Sequence, residues 1–73
     1  MEIEILITNI KRTHSPINLK DFNRIAEHFG FQLDHIKGSH FVYRNWTGKK
    51  FVIPVHNKKI KALYVRKFIK EQE

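Results

Sequence analysis

Residues 31–56, FQLDHIKGSHFVYRNWTGKKFVIPVH, decide how this chain folds. Their apolar positions recur mostly at every second residue, the period of a half-buried strand, and two turn signals cut the stretch into three. Phe31 to Lys37, His40 to Asn45 and Lys50 to Val55 read as strands, joined by the Lys37-Gly38-Ser39 turn and by a longer loop through Trp46, Thr47 and Gly48. Connections this short make consecutive strands antiparallel neighbours. Pro54 has no N–H to give a ladder, so it belongs on an edge, and the third strand of such a meander is an edge.

Residues two apart on a strand share a face. Phe41 and Tyr43, then Phe51, Ile53 and Val55, and Phe31 and Leu33 are the sets expected beneath helices. The other face then receives His40, Val42 and Arg44 from the middle strand, Val52, Pro54 and His56 from the third, and Gln32, Asp34 and Ile36 from the first. On this arithmetic His40, His56, Arg44 and Asp34 converge on one solvated surface, an arrangement that a one-residue slip in register would scatter.

Working upstream, Asn18 suits an N-cap, Asp21 lies near the positive end of the helix dipole, and Ile17 and Phe22 occupy the positions of a hydrophobic staple. Leu19, Phe22, Ile25, Ala26 and Phe29 form one stripe, and Gly30 is placed to end that helix. Residues 2–11, EIEILITNIK, fit two periods: Ile3, Leu6, Ile7 and Ile10 make a helical stripe, while Ile3, Ile5 and Ile7 alternate as in a strand. Glu2 and Glu4 at one end and Lys11 and Arg12 at the other complement a helix dipole, so a helix is expected, against the β-branched content.

Downstream, Asn57-Lys58-Lys59-Ile60-Lys61 reads as a basic loop leading to a last helix that buries Tyr64, Val65, Phe68 and Ile69 and turns Arg66, Lys67 and Lys70 to water. The expected fold is α+β: a three-stranded antiparallel sheet with helices on one face, an α-β-β-β-α core, plus an N-terminal helical extension. With 73 residues and no linker or repeat, one domain over 1–73 is expected. A chain of this size buries only about 60% of its unfolded surface, so any site should lie on an open face and not in a deep pocket.

Cysteine is absent, which removes disulfides and thiolate metal ligation. No run reaches the length of a membrane span, and Glu2 and Glu4 replace the basic flank of a signal peptide, so a cytoplasmic protein without a membrane partner is expected. The net charge of +7 favours a polyanion or an acidic protein as partner. From Gly38 to Lys70 the chain carries Arg44, Lys49, Lys50, Lys58, Lys59, Lys61, Arg66, Lys67 and Lys70 and not one acidic residue.

A surface with imidazoles among fixed cations suits RNA cleavage without a metal. Attack of a ribose 2′-hydroxyl on the adjacent phosphorus needs a base, an acid for the leaving 5′ oxygen, and positive charge for the crowded phosphorane. Histidine titrates near neutral pH and serves either proton role. Arginine and lysine supply the charge, and Trp46 or Tyr43 offers a ring on which an unpaired base can stack. Plainer roles compete: a histidine at a strand start is often structural, and lysine runs often only keep a small protein soluble. His14, His28 and His35 read as surface or boundary residues, and no histidine pair has zinc-ligand spacing. A non-catalytic RNA-binding module is the alternative on composition alone, and DNA recognition is disfavoured by the lack of a helix-turn-helix pattern.

Gly38-Ser39-His40 followed by Phe41-Val42-Tyr43, then Val52-Ile53-Pro54-Val55-His56, a basic spacer and Tyr64-Val65-Arg66-Lys67-Phe68-Ile69, resembles the HicA toxin family. The likeness extends upstream through Ile17-Asn18-Leu19-Lys20-Asp21-Phe22 and Phe29-Gly30-Phe31, and leaves Met1 to Pro16 outside the shortest family pattern. The resemblance implies a fold like that of double-stranded-RNA-binding domains and the activity of an mRNA interferase, an endoribonuclease toxin neutralised by a HicB-type antitoxin. By the same resemblance His40 falls on the catalytic histidine, with Gly38 and Ser39 as its turn, and Lys58, Lys59 and Lys61 stand where double-stranded-RNA readers carry phosphate-binding lysines. The candidate catalytic residues are therefore His40 and His56. The candidate RNA contacts are Gly38, Ser39, Arg44, Lys49, Lys50, Lys58, Lys59 and Lys61, and no cofactor or metal is expected.

Overall fold

The computed structural model describes residues 2–73. In chain order the elements are α1 (Ile3–Arg12), β1 (Ile17–Asn18), α2 (Leu19–His28), β2 (Phe31–Lys37), β3 (His40–Asn45), β4 (Lys50–Pro54), β5 (Lys59–Ile60) and α3 (Ala62–Gln72). Strands β2, β3 and β4 form an antiparallel sheet in that order, and the two short strands β1 and β5 form a second, antiparallel pair. Among the described residues the architecture is α+β, with the three-stranded antiparallel sheet and three helices.

The ambiguous first segment is a helix. Leu6 and Ile10 are buried and Ile3 and Ile7 partly so, which is the stripe of helical period; Ile5, the residue that strand alternation would have buried, is exposed. Helix α1 packs on α2 and α3. Two polar ties hold its end in place: Lys11 pairs with Glu73, and the Arg66 guanidinium donates to the carbonyl of Thr13.

Helix α2 begins as its residues require. The Asn18 side chain accepts from the Lys20 N–H at 2.8 Å, and the Leu19 N–H donates to the Lys58 carbonyl at 2.9 Å, so two of the helix's free N–H groups are satisfied. Phe22 and Ile25 disappear into the core, and Gly30, at φ +83°, turns the chain out of the helix and into β2.

One ring organises the core. Phe68 of α3 makes edge-to-face contacts with Phe22, Phe29, Phe31 and Phe51 at centroid distances of 5.3, 6.0, 5.2 and 4.9 Å. It thereby joins α2, both edge strands of the sheet and its own helix. Phe22 also meets Tyr43 edge-on at 5.0 Å, and the Tyr43 hydroxyl donates to the Asn23 side chain. Phe31, Tyr43 and Ile53 are buried on the helix-covered side, as strand alternation requires.

Two sequence expectations fail here. The run from Asn57 to Lys61 is not merely a loop: His56 and Lys59 form a bridge, with N···O distances of 2.9 Å in both directions, and Lys59 and Ile60 pair with Asn18 and Ile17. Asn57 and Lys58 between them have φ values of +53° and +60°, the two positive angles of a type I′ turn. Ile60 is buried and drives this return of the chain onto β1. The second failure lies in β2. The register shifts between Leu33 and His35, so that Leu33 opposes Tyr43, His35 opposes Val42 and Ile36 opposes Phe41. Asp34 is the extra residue of a β-bulge, and Ile36 moves from the expected open face to the helix side of the sheet edge.

Candidate active site

His40 opens β3 because the turn before it is tight. Only Gly38 and Ser39 separate the paired residues Lys37 and His40, and Gly38 has φ +61° while Ser39 has no positive φ. A positive angle at the first central residue alone is the type II′ hairpin, in which glycine is favoured at that place. The hairpin is also fastened sideways, since the Val55 N–H donates to the Ser39 carbonyl at 2.8 Å. His40 faces Pro54 across β4 and Lys37 across β2, and it is exposed.

Phe41 opposes the fully buried Ile53, so His40 points to the other side of the sheet. That face carries three cross-strand rows: Lys37, His40 and Pro54; His35, Val42 and Val52; Gln32, Arg44 and Lys50. Val42 stands in the centre, outside the contiguous core, yet only 8% of it is exposed. The side chains around it on the open face screen it from water.

The cations on this face are not all alike. Asp34 Oδ2 lies 2.7 Å from His35 Nδ1 and 3.7 Å from Arg44 Nη2. The hydrogen bond with His35 first, and the positive charge of Arg44 after it, hold the Asp34 carboxyl below its ordinary range against a smaller opposing effect of burial. Of the four residues expected to converge, Arg44 and Asp34 meet, Asp34 takes His35 as its partner, and His40 shares the face with Arg44.

His56 belongs to a different locus. Strand β4 ends at Pro54, and His56 turns into the bridge with Lys59. A cleft of about 300 Å³ there is lined by Pro16, Pro54, His56, Lys59, Ile60, Lys61 and Tyr64 and not by His40. Pro54 connects the two places, as it faces His40 in the sheet and walls this cleft. Lys58 stands exposed at the tip of the I′ turn.

At the far end of the open face, Asn45 builds the loop to β4. Its Oδ1 accepts from the Thr47 N–H at 3.1 Å, the Thr47 hydroxyl at 2.7 Å and the Lys49 N–H at 2.9 Å. Trp46 is thrown outward, 90% exposed, beside a cleft of about 380 Å³ that Gln32, Asp34 and Arg44 also line. Lys50 begins β4 opposite Arg44, whereas Lys49 is committed through its backbone to Asn45. Tyr43 offers no stacking surface, being buried.

Sequence periodicity missed His35. A bulge was nevertheless signalled: the apolar residues Phe31, Leu33 and Ile36 are spaced by two and then by three, and that change of phase moves His35 to the face of His40.

Residues 19–73 match the family model described as the HicA toxin of bacterial toxin–antitoxin systems. The chain belongs to the HicA toxin family. It is thus a toxin whose family implies an antitoxin partner. The matched span starts at Leu19, the first residue of α2, and takes in the whole β2-β3-β4 sheet, β5 and α3. Helix α1 is an addition of this HicA toxin outside the matched residues, docked on α2 and α3. No curated protein and no solved structure matches the chain significantly.

Proposed function

We propose that this HicA toxin is a metal-independent endoribonuclease that cuts mRNA in the cytoplasm, with His40 transferring a proton, and that a HicB-type antitoxin neutralises it by covering that histidine. One observation carries this reading: an exposed imidazole stands on a sheet face that also bears Lys37, Arg44 and Lys50. Lys37 is the directly opposed neighbour of His40, so a phosphate drawn to the ammonium is brought to the ring.

The second basic locus extends the track. Lys59 and Lys61, with His56 beside them and Lys58 at the tip of the I′ turn, lie past Pro54 from His40 and hold the RNA backbone on that side of the bond to be cut. Phosphate contacts of this kind release counterions, so binding weakens steeply with salt. Trp46 stacks an unpaired base at the opposite end, which sets a preference for single-stranded RNA.

The test is cleavage of purified RNA in the presence of chelator by the wild type and by His40→Ala, with folding checked by circular dichroism. Cleavage by the wild type and a loss of at least 100-fold in the variant are expected. A His40→Ala protein that cuts at the wild-type rate overturns the assignment. A wild type that binds RNA in a salt-dependent way without cutting it is a non-catalytic RNA-binding module.

A further inference from the structure

We propose that His35, oriented by Asp34, is the second proton-transfer group of this site, acting as the base while His40 acts as the acid. The inference rests on the ribonuclease reading above and names the residue that completes it.

Three observations carry it. The bulge at Asp34 puts His35 opposite Val42, on the face of His40; regular alternation from Leu33 would have sent it to the helix side. Bulges next to active sites commonly re-aim a side chain in this way. Asp34 Oδ2 then sits 2.7 Å from Nδ1 of His35, which fixes the proton on that nitrogen and leaves Nε2 free to accept another. Finally, since Lys37 opposes His40 and His35 opposes Val42, the two histidines are diagonal neighbours on adjacent strands. Such positions are about 7–8 Å apart, with long side chains able to reach each other's surroundings.

That spacing fits a phosphodiester lying between the rings. In-line displacement places the attacking 2′ oxygen and the leaving 5′ oxygen on opposite sides of phosphorus, so base and acid must flank it. His35 Nε2 takes the 2′-hydroxyl proton as the 2′-oxygen–phosphorus bond forms. The bond from phosphorus to the 5′ oxygen breaks, and that oxygen takes a proton from His40. The products are a 2′,3′-cyclic phosphate and a 5′-hydroxyl; one imidazole has gained a proton and the other has lost one, and no further reactant is consumed. Asp34 is the positioning residue: it holds the ring and stabilises the imidazolium as it forms, as a carboxylate behind a catalytic histidine does. Lys37, directly opposite His40 and two residues from His35 on the same strand, flanks the pair and supplies positive charge to the phosphate oxygens.

The charged groups that face His35 are Asp34 and Lys37 on its own strand, Arg44 and His40 from β3, and Lys50 from β4.

The experiment compares His35→Ala, Asp34→Asn and His40→Ala on an RNA oligonucleotide with an ordinary 5′ leaving group and on one whose leaving group is activated and needs no acid. Circular dichroism verifies folding. His35→Ala should lower kcat/KM by about 100-fold to 10,000-fold and remove the acidic limb of the pH profile. Asp34→Asn should lower kcat while leaving KM nearly unchanged, as loss of a positioning contact to the ring requires. The activated leaving group should restore His40→Ala but not His35→Ala. If His35→Ala keeps both limbs and full activity while His40→Ala is inactive, the assignment of His35 is overturned and the ribonuclease reading stands. If the wild type does not cleave RNA, both fall.

Discussion

Phe68 of α3 stands edge-on to Phe51 of β4, with ring centroids 4.9 Å apart and planes at 75°. The same ring touches Phe31 of β2, so a single side chain braces the two outer strands of the sheet from behind while the opposite face is left open. Deleting it leaves a cavity where α2, α3 and the sheet meet. Phe68→Ala should cost about 3–5 kcal/mol, a large part of what a domain of this size has to lose. Loss of the cooperative urea transition, or a large fall in its midpoint, is expected; Phe68→Leu should cost less than half as much.

Gly38 poses a different kind of problem. A Cβ there would meet nothing within 4 Å, so an alanine does not clash, yet φ is +61°. The cost of Gly38→Ala is therefore conformational, about 1–2 kcal/mol. Urea unfolding gives that figure directly. A neutral substitution would show that the II′ turn does not hold His40 in register.

The fold was legible where period and punctuation agreed. Asn18, Gly30 and the stripe between them fix α2, and the alternation of Phe41, Tyr43, Phe51 and Ile53 fixes which side of the sheet the helices cover. For α1 the charges at its ends decided between two equally good periods. Two features were harder to see because they are set by tertiary contacts. The I′ turn at Asn57 and Lys58 has no glycine to announce it and exists because Ile60 must reach the core beside Ile17. The bulge at Asp34 hides behind two adjacent polar residues, either of which looks at home on an open face. The candidate site divides in the same way: His40 and Arg44 follow from alternation, whereas His35 depends on the bulge and His56 is drawn away by its bridge to Lys59.

Tyr43 should leave a mark at alkaline pH. Burial pushes its phenol up to about 12 from the ordinary 10.0. The unfolded chain thus releases this proton first, and the stability the group contributes is complete below pH 10 and declines as pH rises toward 12. Tyr43→Phe also strips Asn23 of its donor, at a cost of about 0.5–1.5 kcal/mol near neutrality. Denaturant titrations at stepped pH should show the gap between wild type and variant shrinking across that window.

Asp34 gives the opposite sign at acid pH. Its carboxyl is depressed from 3.8, chiefly by the hydrogen bond with His35 and then by Arg44. Its contribution is present above the unfolded value and is lost as pH falls through the lower folded one. Because the group is exposed, the effect is modest and is screened by salt. Asp34→Asn should flatten the acid limb of a stability-against-pH curve at low ionic strength and change it little at high ionic strength.

Lys58 separates folding from binding. It occupies the left-handed region at φ +60°, where a residue with a Cβ is strained by about 1–2 kcal/mol. Lys58→Gly relieves that strain and gives back roughly 0.4–1 kcal/mol through the greater freedom of the unfolded chain. A net gain of about 0.5 kcal/mol is expected, whereas Lys58→Val, branched at Cβ, should destabilise. Both variants remove one cation from the proposed RNA track, so both should weaken RNA binding and reduce the salt slope by about 1. Stability and affinity then move in opposite directions in the glycine variant. Paired urea titrations and salt-stepped RNA binding would reveal this, and a glycine variant that binds RNA with the wild-type salt slope would remove Lys58 from the contact surface.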